Sequence, residues 1–122
     1  MKIIKTKFEG LKLIQLNKYK DKRGQLYEIF KEKYFSKKVF DYISISEKNT
    51  LRGLHFQKPP YTQGKLVRVI IGEVLDVAVD IRVNSPTFGK HVAVKLSSEN
   101  KRQLWVPRGF AHGFVVLSET AL

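Results

Sequence analysis

Leu66-Val-Arg-Val-Ile-Ile-Gly-Glu-Val-Leu-Asp-Val-Ala-Val-Asp-Ile-Arg82 is two runs rich in β-branched residues, separated by a Gly-Glu turn signal. Such runs fit a pleated, half-buried surface, so the stretch predicts two strands, over 66–71 and 74–82. Gly72-Glu73 is the Gly-X pair expected of a type II′ hairpin. Side chains alternate across a strand, which sets Leu75, Val77, Val79 and Ile81 on one face and Val74, Asp76, Ala78, Asp80 and Arg82 on the other. The first set reads as core. The second is either a solvent face or the wall of a polar cavity inside a barrel that holds a ligand.

Outward from this stretch the β pattern continues. Strands are expected over 10–16, 25–30, 39–46, 51–57, 91–96, 103–106 and 112–117, with turn clusters at Asp21-Lys-Arg-Gly24, Asn84-Ser-Pro86 and Ser97-Ser-Glu-Asn100. One short helix is expected, over 31–37. Many short strands with turns between them mean an all-β sandwich, jelly roll or barrel. No internal repeat is visible. A length of 122 residues suits a single domain over 1–122.

Composition narrows the setting. Hydrophobic residues are 43% and charged residues 28%, a globular balance, and the absence of cysteine rules out a disulfide framework and fits a reducing compartment. The start, Met1-Lys-Ile-Ile-Lys-Thr-Lys7, has too few apolar residues for a secretory signal, and no run reaches membrane-spanning length. A cytoplasmic protein with no membrane partner is expected. The net charge of +12 raises nucleic acid as a partner, but the lysines of residues 1–50 mostly alternate with apolar residues, as on the solvated face of strands and turns. Aromatic residues do not interleave with basic ones as stacking platforms do, so no nucleic-acid partner is expected. The same field steers a small anionic substrate.

Leu51-Arg-Gly-Leu-His-Phe-Gln57 and Gln63-Gly-Lys-Leu-Val-Arg68 place Arg52, His55 and Lys65 on adjacent strands. Two permanent cations beside a group that titrates near neutrality point to an anionic substrate and a base. By strand parity Arg52 and His55 need not share a face, although a bulge near Gly53 would turn both toward one pocket. Glu28 alternates with Tyr27 and Ile29, and its face is either inward or solvated. His91 opens a strand and reads as a surface residue, whereas His112, in Pro107-Arg-Gly-Phe-Ala-His-Gly113, reads as a binding or structural residue.

Pro107-x-Gly-x-x-His112 resembles the second half of the cupin double motif, and His55-x-Gln57 a degenerate first half. The histidines and glutamate of a metal cupin are not assembled, so no metal is expected. A longer series resembles, in order, the dTDP-4-dehydrorhamnose 3,5-epimerase family: Asp21-x-Arg-Gly24 with Glu28, the two blocks around His55 and Lys65, Gly72-Glu-Val-x-Asp-Val-Ala-Val-Asp-x-Arg82, Ser85-Pro-Thr-Phe-Gly89, Leu96-Ser-x-Glu-Asn100, Arg102-Gln-Leu-Trp105 and Gly109-Phe-Ala-His-Gly113. The resemblance covers nearly the whole chain. It implies a cupin-type jelly roll without a cofactor, usually a homodimer, that epimerises dTDP-4-dehydro-6-deoxyglucose at C3, C5 or both in dTDP-rhamnose or related deoxysugar synthesis.

The resemblance also implies roles. His55 matches the general base, and Arg23, Glu28, Arg52, Lys65 and His112 match substrate-contacting positions. Inverting a carbon beside a ketone needs a base for its proton and a donor for the enolate oxygen, tasks suited to His55 and Lys65. Arg23 and Arg52 are natural partners for diphosphate oxygens, and Asp76 is the candidate carboxylate to orient His55. The family's segment ahead of the Arg-Gly-Leu-His block is not recognisable in Phe40-Asp41-Tyr42. The chain stops at Ser118-Glu-Thr-Ala-Leu122, ahead of the family's usual continuation with its proton-donating tyrosine, and none of the five tyrosines takes that place. The expectation is therefore a C-terminally truncated epimerase. The alternative is a sugar-nucleotide-binding cupin without catalysis.

Overall fold

The computed structural model describes residues 1–22, 24–30 and 41–122, and among these every regular element is a strand. They are β1 (Lys2–Lys5), β2 (Lys12–Gln15), β3 (Lys18–Asp21), β4 (Gly24–Tyr27), β5 (Ser46–Glu47), β6 (Leu51–His55), β7 (Lys65–Arg68), β8 (Glu73–Asp80), β9 (His91–Ser97), β10 (Arg102–Val106), β11 (Phe110–Val116) and β12 (Thr120–Ala121). Two four-stranded sheets, ordered β1-β2-β10-β7 and β6-β11-β8-β9, carry the fold, with two-stranded pairs β3-β4 and β5-β12 beside them. The pairings are antiparallel. Among the described residues no helix is long and apolar enough to cross a membrane.

One core lies between the sheets. Leu104 and Val106 of β10 enter it from the first sheet, and Val74, Ala78, Leu96, Phe110 and Val116 from the second, with Phe8 and Leu11 closing one end. Burying one apolar face of each sheet against the other is the main stabilising term of such a sandwich. The all-β jelly roll expected from the sequence is the fold observed.

Two local expectations are corrected. Residues 66–71 and 74–82 do not form a hairpin across Gly72-Glu73. β7 pairs with β10 in the first sheet, whereas β8 lies between β11 and β9 in the second. A turn signal reports that the chain changes direction, and the partner of each strand is chosen by which apolar faces can be buried together. The faces of β8 are also reversed from the reading that made Leu75, Val77 and Val79 core. Burial alternates so that Val74, Asp76, Ala78 and Asp80 are the buried set and Leu75, Val77 and Val79 are half-buried. Two aspartates lie inward because each finds hydrogen-bond partners there, which removes the penalty that hydropathy alone assigns them.

Short charged strands such as β3, Lys18-Tyr-Lys-Asp21, were not anticipated, since they carry no apolar period. The helix expected over 31–37 lies outside the described residues. Of the strand expected over 39–46, residues 41–45 form no strand, Ser46 belongs to β5, and 39–40 lie outside the described residues.

Candidate active site

β11 is the spine of the site. His112 on β11 stands opposite Ala78 of β8 and His55 of β6, and Phe114 stands opposite Asp76 and Arg52. Cross-strand partners share a face, and Ala78 and Asp76 face the core, so this row lies on the inner face of its sheet, with its β6 end, Arg52 and His55, open to solvent. On β11 the two positions are separated by Gly113 alone. On β6 they are separated by Gly53 and Leu54, and the ladder shifts register there. This β-bulge is what turns Arg52 and His55, three residues apart, onto the same face.

The bulge depends on two glycines. A Cβ on Gly53, whose φ is +131°, would lie 2.6 Å from the Cα of Gly113, and a Cβ on Gly113 would lie 2.6 Å from the carbonyl oxygen of Arg52. Neither strand can carry a side chain where the backbones touch. Arg52 is further fixed by its Nε, which donates to the hydroxyl of buried Ser46 at 3.0 Å. Ser46 carried no signal in the sequence, being one of several hydroxyls in a mixed stretch, with Ser44 and Thr50 on either side.

His112 and Asp76 form the buried pair of the site. The Nε2 of His112 lies 2.8 Å and 3.0 Å from the two carboxylate oxygens of Asp76. Asp76 is fully buried and His112 nearly so. The imidazole is thus held with Nε2–H donating, and among the described residues Nδ1 has no hydrogen-bond partner. This corrects the role expected for Asp76. Its carboxylate orients His112, and among the described residues no hydrogen bond joins it to His55. Parity alone could not separate the two histidines, because it does not tell which strand neighbours β8; β11, with His112, pairs with β8, and β6, with His55, does not.

Lys65 comes from the opposite sheet. It pairs with Val106, whose side chain is in the core, so Lys65 starts on the inner face of the first sheet, looking toward the second. Among the described residues it has no ion-pair partner. Glu28 is half-buried just beyond β4, and Arg23 lies outside the described residues. Among the described residues, no three His, Asp or Glu side chains converge as metal ligands.

A second buried carboxylate lies on the same face of β8. The oxygens of Asp80 accept from the backbone N, Nε and Nη2 of Arg82 at 3.0, 3.0 and 2.8 Å, and from the hydroxyls of Ser85 and Thr87 at 2.6 Å each. The Arg82 guanidinium, and after it the two hydroxyls, hold the Asp80 carboxyl well below the usual carboxylate range, against the opposing effect of burial. Arg82 in turn stacks 4.9 Å over the ring of Phe110, two residues from His112. Both carboxylate oxygens of Asp80 are engaged within the turn, and the stacking of Arg82 on Phe110 ties the cluster to β11.

The two-sheet sandwich has close counterparts. The family model for dTDP-4-dehydrorhamnose 3,5-epimerase matches residues 5–122. The chain belongs to the dTDP-4-dehydrorhamnose 3,5-epimerase family. A family member from Shigella flexneri is 53% identical over an alignment covering 99% of this chain and 71% of the relative. The crystal structure of the enzyme from Elizabethkingia anophelis NUHP1 superposes with a TM-score of 0.95 at 51% identity, covering 99% of this chain and 70% of that one. The dTDP-6-deoxy-D-glucose-3,5-epimerase of Legionella pneumophila Philadelphia 1, solved with dTDP-4-keto-L-rhamnose, superposes with a TM-score of 0.92 at 54% identity, covering 98% and 67% of the two chains. The family members named here are epimerases, and their fold is the one described above.

Proposed function

We propose that this chain is a dTDP-sugar epimerase that inverts C3, C5 or both of dTDP-4-dehydro-6-deoxyglucose by proton abstraction next to the C4 ketone. The observation that supports the reading is the bulge that sets Arg52 and His55 on one face of β6, solvent-open, in the sheet opposite the one that carries Lys65, in a chain of this family. Neutral His55 takes the proton from the carbon beside the ketone. The C–H electron pair becomes a C=C bond to C4, and the carbonyl π pair moves onto oxygen. Lys65 hydrogen-bonds that enolate oxygen, which is worth most where water is excluded. Return of a proton to the opposite face, with collapse of the enolate, inverts the carbon. Arg52, and Arg23 by its place in the motif, suit the diphosphate, because a guanidinium binds two oxygens at once. Glu28 and His112 are substrate contacts in this reading, with His112 presenting Nδ1 while Asp76 holds Nε2. No step calls for a cofactor.

Incubation of the protein with the substrate in D2O tests this. Deuterium is expected at C3 or C5, read by NMR or mass. Binding of dTDP with no exchange at either carbon overturns the catalytic reading and leaves a sugar-nucleotide-binding module. Absence of both overturns the function altogether.

The same reading takes 1–122 as one domain, since both sheets feed one core, and takes the working form as a homodimer in the cytoplasm. Two surfaces support association: the outward side of β6-β11-β8, where Leu51, Leu75, Val77, Val79 and Val115 share a face, and the β3-β4 hairpin, whose Tyr19 and Leu26 are exposed. Light scattering at micromolar concentration giving the mass of one chain refutes the dimer, and recovery with the membrane fraction on cell fractionation refutes the location.

A further inference from the structure

Arg52 is solvent-exposed on β6, yet one of its five N–H donors is committed to the protein: Nε–H donates to the hydroxyl of Ser46 at 3.0 Å. Ser46 is only 4% exposed, and its backbone is held from two directions. It stands opposite Ala121 in the β5-β12 ladder. The turn that follows it is closed by the Thr50 amide donating to the Glu47 carbonyl and the Asn49 amide donating to the Val116 carbonyl, each at 3.1 Å. β12 is tied in turn to the stretch that leaves β7, where the Leu122 amide donates to the Ile71 carbonyl at 2.9 Å. The hydroxyl is therefore a fixed post beside a side chain that would otherwise be mobile.

Neither residue needs this bond for stability. An exposed guanidinium is solvated without it, and alanine at position 46 would bring no polar group to satisfy. What the bond does fix is the plane of a long side chain with high rotamer entropy. With Nε engaged, the Nη1–Nη2 end of the fork remains for a bidentate anion. The anchor is also neutral. Among the described ion pairs no carboxylate meets Arg52, so orientation is gained with the positive charge uncancelled. Arg52 lies across from Phe114, which lies across from Asp76, and this places the anchored cation in the row of the candidate site.

We propose that Ser46 is a positioning residue for anion binding: it holds the Arg52 guanidinium in the orientation that receives the substrate's diphosphate. This inference rests on the epimerase reading for the identity of the anion. Ser46 itself touches no reacting atom.

The test uses Ser46→Ala in the full chain. Affinity for dTDP, by calorimetry, is expected to fall about threefold to tenfold, because a rotamer-rich side chain must then be ordered at the moment of binding. KM for dTDP-4-dehydro-6-deoxyglucose should rise by a similar factor while kcat stays within about twofold, since the lost bond belongs to Arg52 and not to His55 or Lys65. In an Arg52→Ala background the same substitution is expected to change dTDP affinity little further, because both act through one side chain. A second measurement needs no variant. In 15N-arginine-labelled wild-type protein, saturating dTDP is expected to shift the Arg52 Nη signals.

Unchanged dTDP affinity in a folded Ser46→Ala protein, or full additivity with Arg52→Ala, overturns the inference while leaving the epimerase reading intact. Should Ser46→Ala not fold, unmoved Arg52 Nη signals at saturating dTDP overturn it in the same way. A wild-type protein that neither binds dTDP nor exchanges deuterium overturns both readings.

Discussion

Replacing Asp80 with asparagine removes one negative charge and almost no volume from the clamp that holds β11. In the native protein one carboxylate oxygen accepts from the backbone N and Nε of Arg82, and the other accepts from Arg82 Nη2, Ser85 and Thr87. Asparagine can keep its oxygen toward the first pair. Its NH2 group then faces a guanidinium, which cannot accept, and two hydroxyls, which must turn round. Removing one partner of a buried ion pair costs about 3–5 kcal/mol. Asp80 is fully buried, but the Arg82 side chain is 33% exposed and water can meet part of its need, which places the expected loss near the lower end, about 3 kcal/mol. With a urea m-value of about 1.5 kcal/mol/M for a chain of this size, the midpoint moves down by about 2 M.

The sign of the pH dependence follows from the same contacts. The Asp80 carboxyl is held below its unfolded value, chiefly by the Arg82 hydrogen bonds. Its contribution is therefore fully present above the unfolded pKa of about 4 and is lost as pH falls below it toward the lowered folded value. Wild-type stability should thus fall more steeply with acid below about pH 4 than that of Asp80→Asn. A loss under about 1 kcal/mol at pH 7, or parallel acid profiles, would refute the view of this carboxylate as the clamp's centre.

His55→Asn is expected to lower deuterium incorporation at C3 and C5 by a factor on the order of 10³ while dTDP affinity, by calorimetry, changes little; retained exchange rules His55 out as the base. Asp76→Ala leaves the buried His112 without its partner, and urea unfolding should register a loss of about 2–4 kcal/mol; an unchanged midpoint would show that the pair does not hold β8 to β11. Gly113→Ala drives a methyl group into the Arg52 carbonyl, so it should cost about 2 kcal/mol or more and also abolish exchange, because Arg52 and His55 would no longer share a face. A Gly113→Ala protein with wild-type exchange would remove the bulge from the argument.

The strands were legible where an apolar period of two persisted, as in β9, or where an apolar run was bounded by turn signals, as in β8 and β11, and illegible where polar side chains filled a short strand, as in β3. Arg52, His55, Lys65 and His112 were visible as candidates because charged and titratable residues stood in apolar strands. The carboxylate partner was not. Asp76 and Asp80 both read as polar positions on one face, and only the neighbouring strand determines that Asp76 meets His112 and Asp80 meets Arg82.

Residue identity and order by themselves determined that this is a small all-β chain of the dTDP-4-dehydrorhamnose 3,5-epimerase family, because periodicity and motif spacing are local properties carried along the backbone. Which strands pair, which side of β8 is inward, and that one extra residue in β6 brings Arg52 and His55 onto the same face were decided only by the tertiary structure. Those choices depend on long-range pairing. A shift of one residue in a ladder reverses every side chain beyond it, and at Gly53 and Gly113 two backbones must touch for that shift to occur.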